Sequence, residues 1–313
     1  MFDTIRGILI EELTSLVPNE VGQFAEAIAD RLKHRPLGIL FYGSILREVD
    51  PDGILDFYVI TDRPSSLNEN PLASLANHIL PPNVYYMEHV IGGQLLRAKV
   101  AFLSQRQFQK RSTIFTLDTT IWARFCQPVR MVWVRDNKSA DHVLQAIRQC
   151  AITASCWAAL LGPEEGMAID YWHNLFAHTY AVEFRVEKKG RSHHLLQGRE
   201  ERYIAVLESA WQHVSLGYEI EKGGLRPLLT TSVRMKAEKN WQKIQAVGRP
   251  LNLARLVKAA FTFKDGVSYL LWKIQRHTGE KIHVSSFEKK HPILTLPLFL
   301  WRARYVRLNR KSH

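Results

Sequence analysis

The chain has 313 residues, 46% of them apolar, and a formal net charge of +12. That composition excludes a disordered chain, and the lack of any run of about 20 apolar residues excludes a conventional membrane span. Three cysteines, Cys126, Cys150 and Cys156, cannot build a disulfide framework and stand in no zinc-ligand pattern, so a reducing compartment is expected. The charge is unevenly placed. Residues 255–313 hold 13 basic and 3 acidic side chains, a net of +10, which leaves 29 basic against 27 acidic in residues 1–254. A basic balance calls for an acidic partner: nucleic acid, nucleotide or anionic lipid.

In chain order, the first twelve residues carry Asp3, Glu11 and Glu12 and show no cleavable signal pattern. Residues 20–34 place Val21, Phe24, Ala25, Ile28 and Leu32 at helical spacing. A strand is expected at 37–41, then a turn at Tyr42–Gly43–Ser44, and a second strand at 54–61 after Pro51–Asp52–Gly53. A short helix at 71–79 and strands at 84–86, 95–102 and 129–134 complete a first region, 1–138. The second region, 139–254, reads as mainly helical. Ser139 is the expected N-cap of a helix that must stop at Gly162–Pro163. Further helices are expected at 164–182, 200–216 and 231–247, with a strand or hairpin near 184–196. The third region, 255–313, is the basic segment. The fold class expected is α+β.

The chemistry-bearing stretch is Leu37-Gly-Ile-Leu-Phe-Tyr-Gly-Ser44, followed by Asp52-Gly-Ile-Leu-Asp56-Phe-Tyr-Val-Ile-Thr-Asp62. An apolar strand ends in Gly–Ser, and a carboxylate opens the next apolar strand. Nucleotidyl transfer uses this arrangement for a physical reason. Gly43 permits close backbone approach, the Ser44 hydroxyl can bond a triphosphate oxygen, and Asp56 can hold Mg²⁺, which bridges phosphate oxygens. The usual pair of same-face carboxylates is reduced to one, because the first position is Ile54. The competing reading is an ordinary Gly–Ser turn before a buried strand.

Tyr42-Gly-Ser44 with Leu55-Asp56-Phe57 resembles the family of mitochondrial phosphatidate cytidylyltransferases (CDP-diacylglycerol synthases) and their bacterial relatives, which also carry a single Asp in a Leu–Asp–Phe-like strand. Similar stretches follow in the same order: Asn83-Val-Tyr-Tyr86, the segment from Gly93 to Ser104, Ile121–Val129 with Arg124 and Pro128, Tyr180-Ala-Val-Glu-Phe-Arg185, and Lys258-Ala-Ala-Phe-Thr262. The resemblance implies a polymerase-β-like nucleotidyltransferase domain, a mainly helical, winged-helix-like second domain and a membrane-associating C-terminal segment. It implies that CTP and phosphatidic acid are joined into CDP-diacylglycerol and pyrophosphate, with Mg²⁺, at the cytoplasmic face of the inner membrane. The sequence departs from the family's pattern at Ile45, where a Gly is usual, and at Ala98–Lys99, where Tyr–Gly is usual.

Asp56 and Ser44 are thus the expected catalytic pair, and Gly43 and Ser44 the triphosphate contacts. Glu88 is the expected second metal ligand, with Asp52 and Asp62 as rivals. Arg97 and Lys99, two apart on one strand, share a face and can hold phosphates; a half-exposed basic sheet face is the alternative. Arg124 either reaches a phosphate or caps a carboxylate. Glu183 and Arg185 share a face if the segment is extended, or else form an internal ion pair; His193–His194 lies in a loop, and Trp157, Trp172 and Trp211 belong to the core rather than to a base-stacking surface. In the basic segment, Leu298, Trp301, Tyr305 and Leu308 fall together at helical spacing, with Arg304, Arg307, Arg310 and Lys311 opposite. Trp301, Arg304, Tyr305 and Arg307, with Lys258, are therefore the expected contacts to an anionic membrane surface. No stable nucleic-acid partner is expected of the nearly neutral body. The alternatives are transfer to RNA or a small soluble acceptor, or a catalytically silent nucleic-acid-binding protein.

Overall fold

Two apolar faces on the same strands dictate the architecture: a sheet that must be covered on both sides. The computed structural model describes residues 4–43, 53–64, 71–182, 195–221 and 223–262. In chain order these form α1 (Thr4–Thr14), α2 (Asn19–Asp30), β1 (Gly38–Tyr42), β2 (Ile54–Thr61), α3 (Pro71–Ile79), β3 (Asn83–Ile91), β4 (Gln94–Ser104), α4 (Gln105–Arg111), α5 (Trp122–Phe125) and β5 (Val129–Val134). They continue through α6 (Asn137–Leu161), α7 (Ala168–Val182), α8 (Glu200–His213), β6 (Tyr218–Glu221), β7 (Gly224–Pro227) and α9 (Thr231–Thr262). The fold is mixed α+β. Its five-stranded sheet has the order β3-β4-β2-β1-β5, with β2 and β4 parallel and the other pairs antiparallel.

Alternation along the strands sorts the apolar residues between two cores. Ile39, Phe41, Phe57, Val59, Val100 and Phe102 face α2, which buries Val21, Phe24, Ala25 and Ile28 against them. Leu40, Tyr58, Ile60, Ala101 and Leu103 face the other way, into a larger core shared with α1 and α4 through α9. Helix α6, 25 residues long, lies at the centre of that layer. Trp157, Trp172 and Trp211 are all buried, as expected of core residues. The Trp172 indole N–H donates to the Tyr203 carbonyl at 2.9 Å and that of Trp211 to the Ser155 carbonyl at 2.8 Å. Among the described residues, no helix is long and apolar enough to cross a membrane.

Several boundaries differ from expectation. The cap of α6 is Asp136, whose Oδ1 accepts from the Ser139 backbone N–H at 2.7 Å, so Ser139 lies inside the first turn instead of before it. The small β6–β7 hairpin was not anticipated; it is fixed from outside, by the Tyr171 hydroxyl donating to the Leu225 carbonyl at 2.6 Å. Helix α9 continues past 247, the end expected from the sequence, and runs through Pro250. Gly248 there passes so close to Val182 that a Cβ would collide with it. The strand or hairpin expected near 184–196 falls largely outside the described residues.

The far half of α9 is anchored to the sheet domain by charge. Asp118, 7% exposed, receives Arg111 Nε at 3.1 Å on one oxygen and Arg255 Nη1 at 3.0 Å on the other, with Arg255 Nη2 closing a fork. Arg255 also donates to the Pro81 carbonyl and the Thr120 hydroxyl, both at 2.9 Å. Burial works to raise the Asp118 carboxyl, but the Arg255 fork and then Arg111 outweigh it and hold the group below its ordinary value. Its stabilisation is therefore complete above the unfolded carboxyl value of about 3.9 and is lost as pH falls through the depressed folded value. Asp118→Ala leaves two half-buried guanidiniums facing each other and should cost about 3–5 kcal/mol, read as a fall in the urea midpoint at neutral pH.

Candidate active site

Strand register assembles the site. Tyr42 of β1 pairs with Asp56 of β2, Asp56 with Lys99 of β4, and Lys99 with Tyr86 of β3. One same-face step away, Ile54 pairs with Arg97 and Arg97 with Glu88. All of these side chains share the face of Tyr58, Ile60 and Leu103, because they have the same parity on their strands. The inner rows of that face are apolar core. The outer rows, at the end where β1 finishes and β2 begins, are polar apart from Ile54.

Gly43 follows Tyr42 with φ at +106°, and an ideal Cβ on it would lie 2.8 Å from Asp56 Oδ2. Both the backbone conformation and the space demand glycine. The Asp56 carboxylate is thereby held directly against the backbone at the mouth of the β1–β2 turn. Arg124, on the short helix α5, lies over two tyrosine rings, its Cζ 5.0 Å from the Tyr42 centroid and 5.9 Å from that of Tyr58. Phe125, the next residue, packs edge-on against Tyr58 at 5.0 Å, which fixes α5 beneath the row. Arg124 thus stands over the ring of Tyr42, the register partner of Asp56.

The two row-end phenols are held neutral. Burial pushes Tyr42 well above its ordinary value, the Arg124 charge opposing and Asp56 adding to the rise. Burial likewise pushes Tyr86 up, reinforced by Glu88, to which its hydroxyl donates at 2.6 Å. Both phenols stay protonated over the whole ordinary pH range and do not act as bases; that of Tyr86 is the donor to Glu88. Neither was singled out from the sequence. The available signal was parity: Tyr42 stands two residues before Ser44, and Tyr86 two before Glu88.

The expected residues are distributed as follows. Gly43, Asp56, Lys99, Arg97 and Arg124 converge on one end of one sheet face. Glu88 is on that face but two strand spacings and one same-face step from Asp56, about 12 Å, and its partners are Tyr86 and Arg97, whose Nε lies 3.4 Å away. The structure thus sets it in a local network and does not bring it beside Asp56. Asp62 is at the far end of β2, 2.8 Å from Arg135. Lys258, expected to face lipid, sits against the α3–β3 connection. Its ammonium donates to the Pro82 carbonyl at 2.7 Å, to Asn83 Oδ1 at 3.0 Å and to the Leu80 carbonyl. Three oxygens converging on one connection explain that placement. Ser44, Asp52, Glu183, Arg185, His193, His194, Trp301, Arg304, Tyr305 and Arg307 lie outside the described residues.

The donor set can be tested against Mg²⁺. Among the described residues no group of three His, Cys, Asp or Glu side chains could enclose a metal ion. Among the described residues, Asp56 offers one carboxylate at a strand end beside a glycine without a Cβ. Mg²⁺ ordinarily keeps several waters and takes one or two carboxylates plus substrate phosphates, so this set fits that ion when a polyphosphate is bound and does not fit a permanently enclosed metal.

No protein-family model matches the chain, and no curated protein matches it. Among solved structures it is similar to a nucleotidyltransferase-like protein from Exiguobacterium sibiricum, 13% identical, with 92% of each chain covered and a TM-score of 0.27. It is the side-chain geometry, and not this likeness, that supports a function.

Gly43→Ala forces a side chain into a left-handed conformation and against Asp56. It should lower stability by about 1–3 kcal/mol, measured by urea unfolding, whereas Gly93→Ala, with nothing within 4 Å of its added Cβ, should show only the backbone part of that cost.

Proposed function

We propose that the protein is a nucleotidyltransferase, and specifically that it transfers a cytidylyl group from CTP to phosphatidic acid, releasing pyrophosphate and CDP-diacylglycerol. The observation that carries the reading is the Asp56 carboxylate held against Gly43 with Lys99 in register beside it. Among the described residues, a carboxylate next to a strand-end glycine and a lysine is a set that suits a metal-bound triphosphate. Asp56 would hold Mg²⁺, whose chemistry when bound is to neutralise and orient triphosphate oxygens.

The remaining roles belong to the chain itself. The glycine backbone at 43 lets the phosphates approach the sheet end, with Ser44 as the proposed hydroxyl contact. Lys99 and Arg97 supply positive charge along one face of β4, where negative charge accumulates on the phosphates. Arg124 backs the Tyr42 ring and keeps positive charge near Asp56. Phosphatidic acid attacks through a phosphate oxygen that is already anionic, so no general base is needed. The protonated phenols of Tyr42 and Tyr86 fit that economy. The lipid acceptor is supported by the ordered resemblance of several segments and by the basic residues that follow Lys258 in the sequence, proposed to reach an anionic membrane surface peripherally, at the cytoplasmic face of the inner membrane.

Purified protein given CTP, Mg²⁺ and phosphatidate-containing vesicles should release pyrophosphate. Asp56→Ala should reduce turnover by roughly 100-fold or more, and Lys99→Ala should mainly raise the KM for CTP. Release with RNA or a soluble alcohol but not with phosphatidate would move the reading to the other acceptor class. No release from any acceptor, with wild type and Asp56→Ala indistinguishable, would falsify it.

A further inference from the structure

The face that carries Asp56 does not stop at Arg97 and Glu88. Strands β3 and β4 run on to one more same-face pair, Val90 opposite Leu95, before turning at Gly92 and Gly93, both with positive φ. These two aliphatic side chains are 60% and 41% exposed. The reverse face of the same hairpin is covered: Ile91 is buried, and the His89 ring meets Phe24 of α2 edge-on at 6.0 Å. A half-covered antiparallel hairpin ordinarily turns polar residues to its open side. Here the open side is apolar at the tip and, further in, carries Arg97 and Lys99 on β4, with Glu88 of β3 3.4 Å from Arg97 Nε.

The order along β4 is what identifies the occupant. Same-face residues recur about every 6.6 Å, so Leu95, Arg97 and Lys99 present one apolar and two cationic positions over about 13 Å. A ligand matching that strip is anionic at the Lys99 end and apolar at the Leu95 end. A free nucleotide or inorganic phosphate would satisfy only the inner part and leave Val90 and Leu95 in water. We infer that the β3–β4 hairpin tip is the acyl platform of the acceptor site, on which the first part of a phospholipid's chains lies against Val90 and Leu95 while its phosphate is drawn toward Arg97 and Lys99. This inference rests on the phosphatidate reading above and adds to it where the lipid lies and which way it points.

Two measurements test it. In the first, Val90→Ser/Leu95→Ser is compared with wild type using dioleoyl phosphatidate and water-soluble dihexanoyl phosphatidate. The double variant should raise the KM for the long-chain acceptor roughly tenfold or more, with kcat and the KM for CTP unchanged and a much smaller effect on the short-chain acceptor. Equal losses on both acceptors, or no change on either, overturn the platform. In the second, an environment-sensitive fluorophore is placed on Val90→Cys in a Cys156→Ser background, since Cys126 and Cys150 are buried. Emission should shift to the blue with phosphatidylcholine vesicles containing dioleoyl phosphatidate, and stay unchanged with inorganic phosphate. A label on Glu219→Cys, at an exposed position of the separate β6–β7 hairpin, should not respond to either. An unresponsive label on Val90→Cys, on vesicles that bind the protein, overturns the inference. If the label responds while wild type releases no pyrophosphate from any acceptor, the platform stands and the transfer reading falls.

Discussion

Everything proposed for this protein depends on the register of β2 between β1 and β4. The strand is antiparallel to one neighbour and parallel to the other, and in that single alignment Tyr42, Asp56, Lys99 and Tyr86 form a row across four strands. A slip by one residue would send Asp56 into the core under α2 and bring Phe57 up in its place. The slip is opposed on both faces at once. Phe57 stacks on Phe24 at 5.6 Å, while Tyr58 is enclosed by Tyr42 and Phe125 on the other side. The apolar packing that stabilises the sheet is thus also what aims its carboxylate.

The polar row forms where the core runs out. Going along the face from Ile60 and Leu103 toward Asp56 and Lys99, burial gives way to partial exposure, and the tyrosines mark the transition. Each phenol has its ring in the apolar part and its hydroxyl at the polar edge, which suits an aromatic with a polar handle. Arg124 is accommodated there for the same reason: a guanidinium is weakly hydrated and stacks on rings without losing its charge.

The sequence was most legible where local pattern and tertiary role agree. The strands at 54–61 and 129–134 and the helix at 71–79 have the bounds read from alternation, spacing and punctuation. The same parity argument placed Arg97 and Lys99 on one face and Asp56 at the start of its strand. What stayed hidden depends on long-range contact. The β6–β7 hairpin has little apolar content of its own and is held by Tyr171 from another element. Pro250 would end an isolated helix, yet α9 continues because Asp118, Pro81 and Asn83, far away in sequence, bind Arg255 and Lys258. Glu88 has the right residue type and the right face, but only the strand order reveals that β4 stands between it and Asp56.

The anchoring of α9 bears on how the protein can be cut. By charge, the chain changes character at residue 255, and a protein chemist wanting a soluble catalytic body would truncate there. That cut would remove the guanidinium fork from Asp118 and the ammonium from the carbonyls of the α3–β3 connection, destabilising the sheet domain from its edge. The electrostatic boundary and the mechanical boundary of this molecule are different places, and a truncation that respects the second has to retain the chain beyond Lys258.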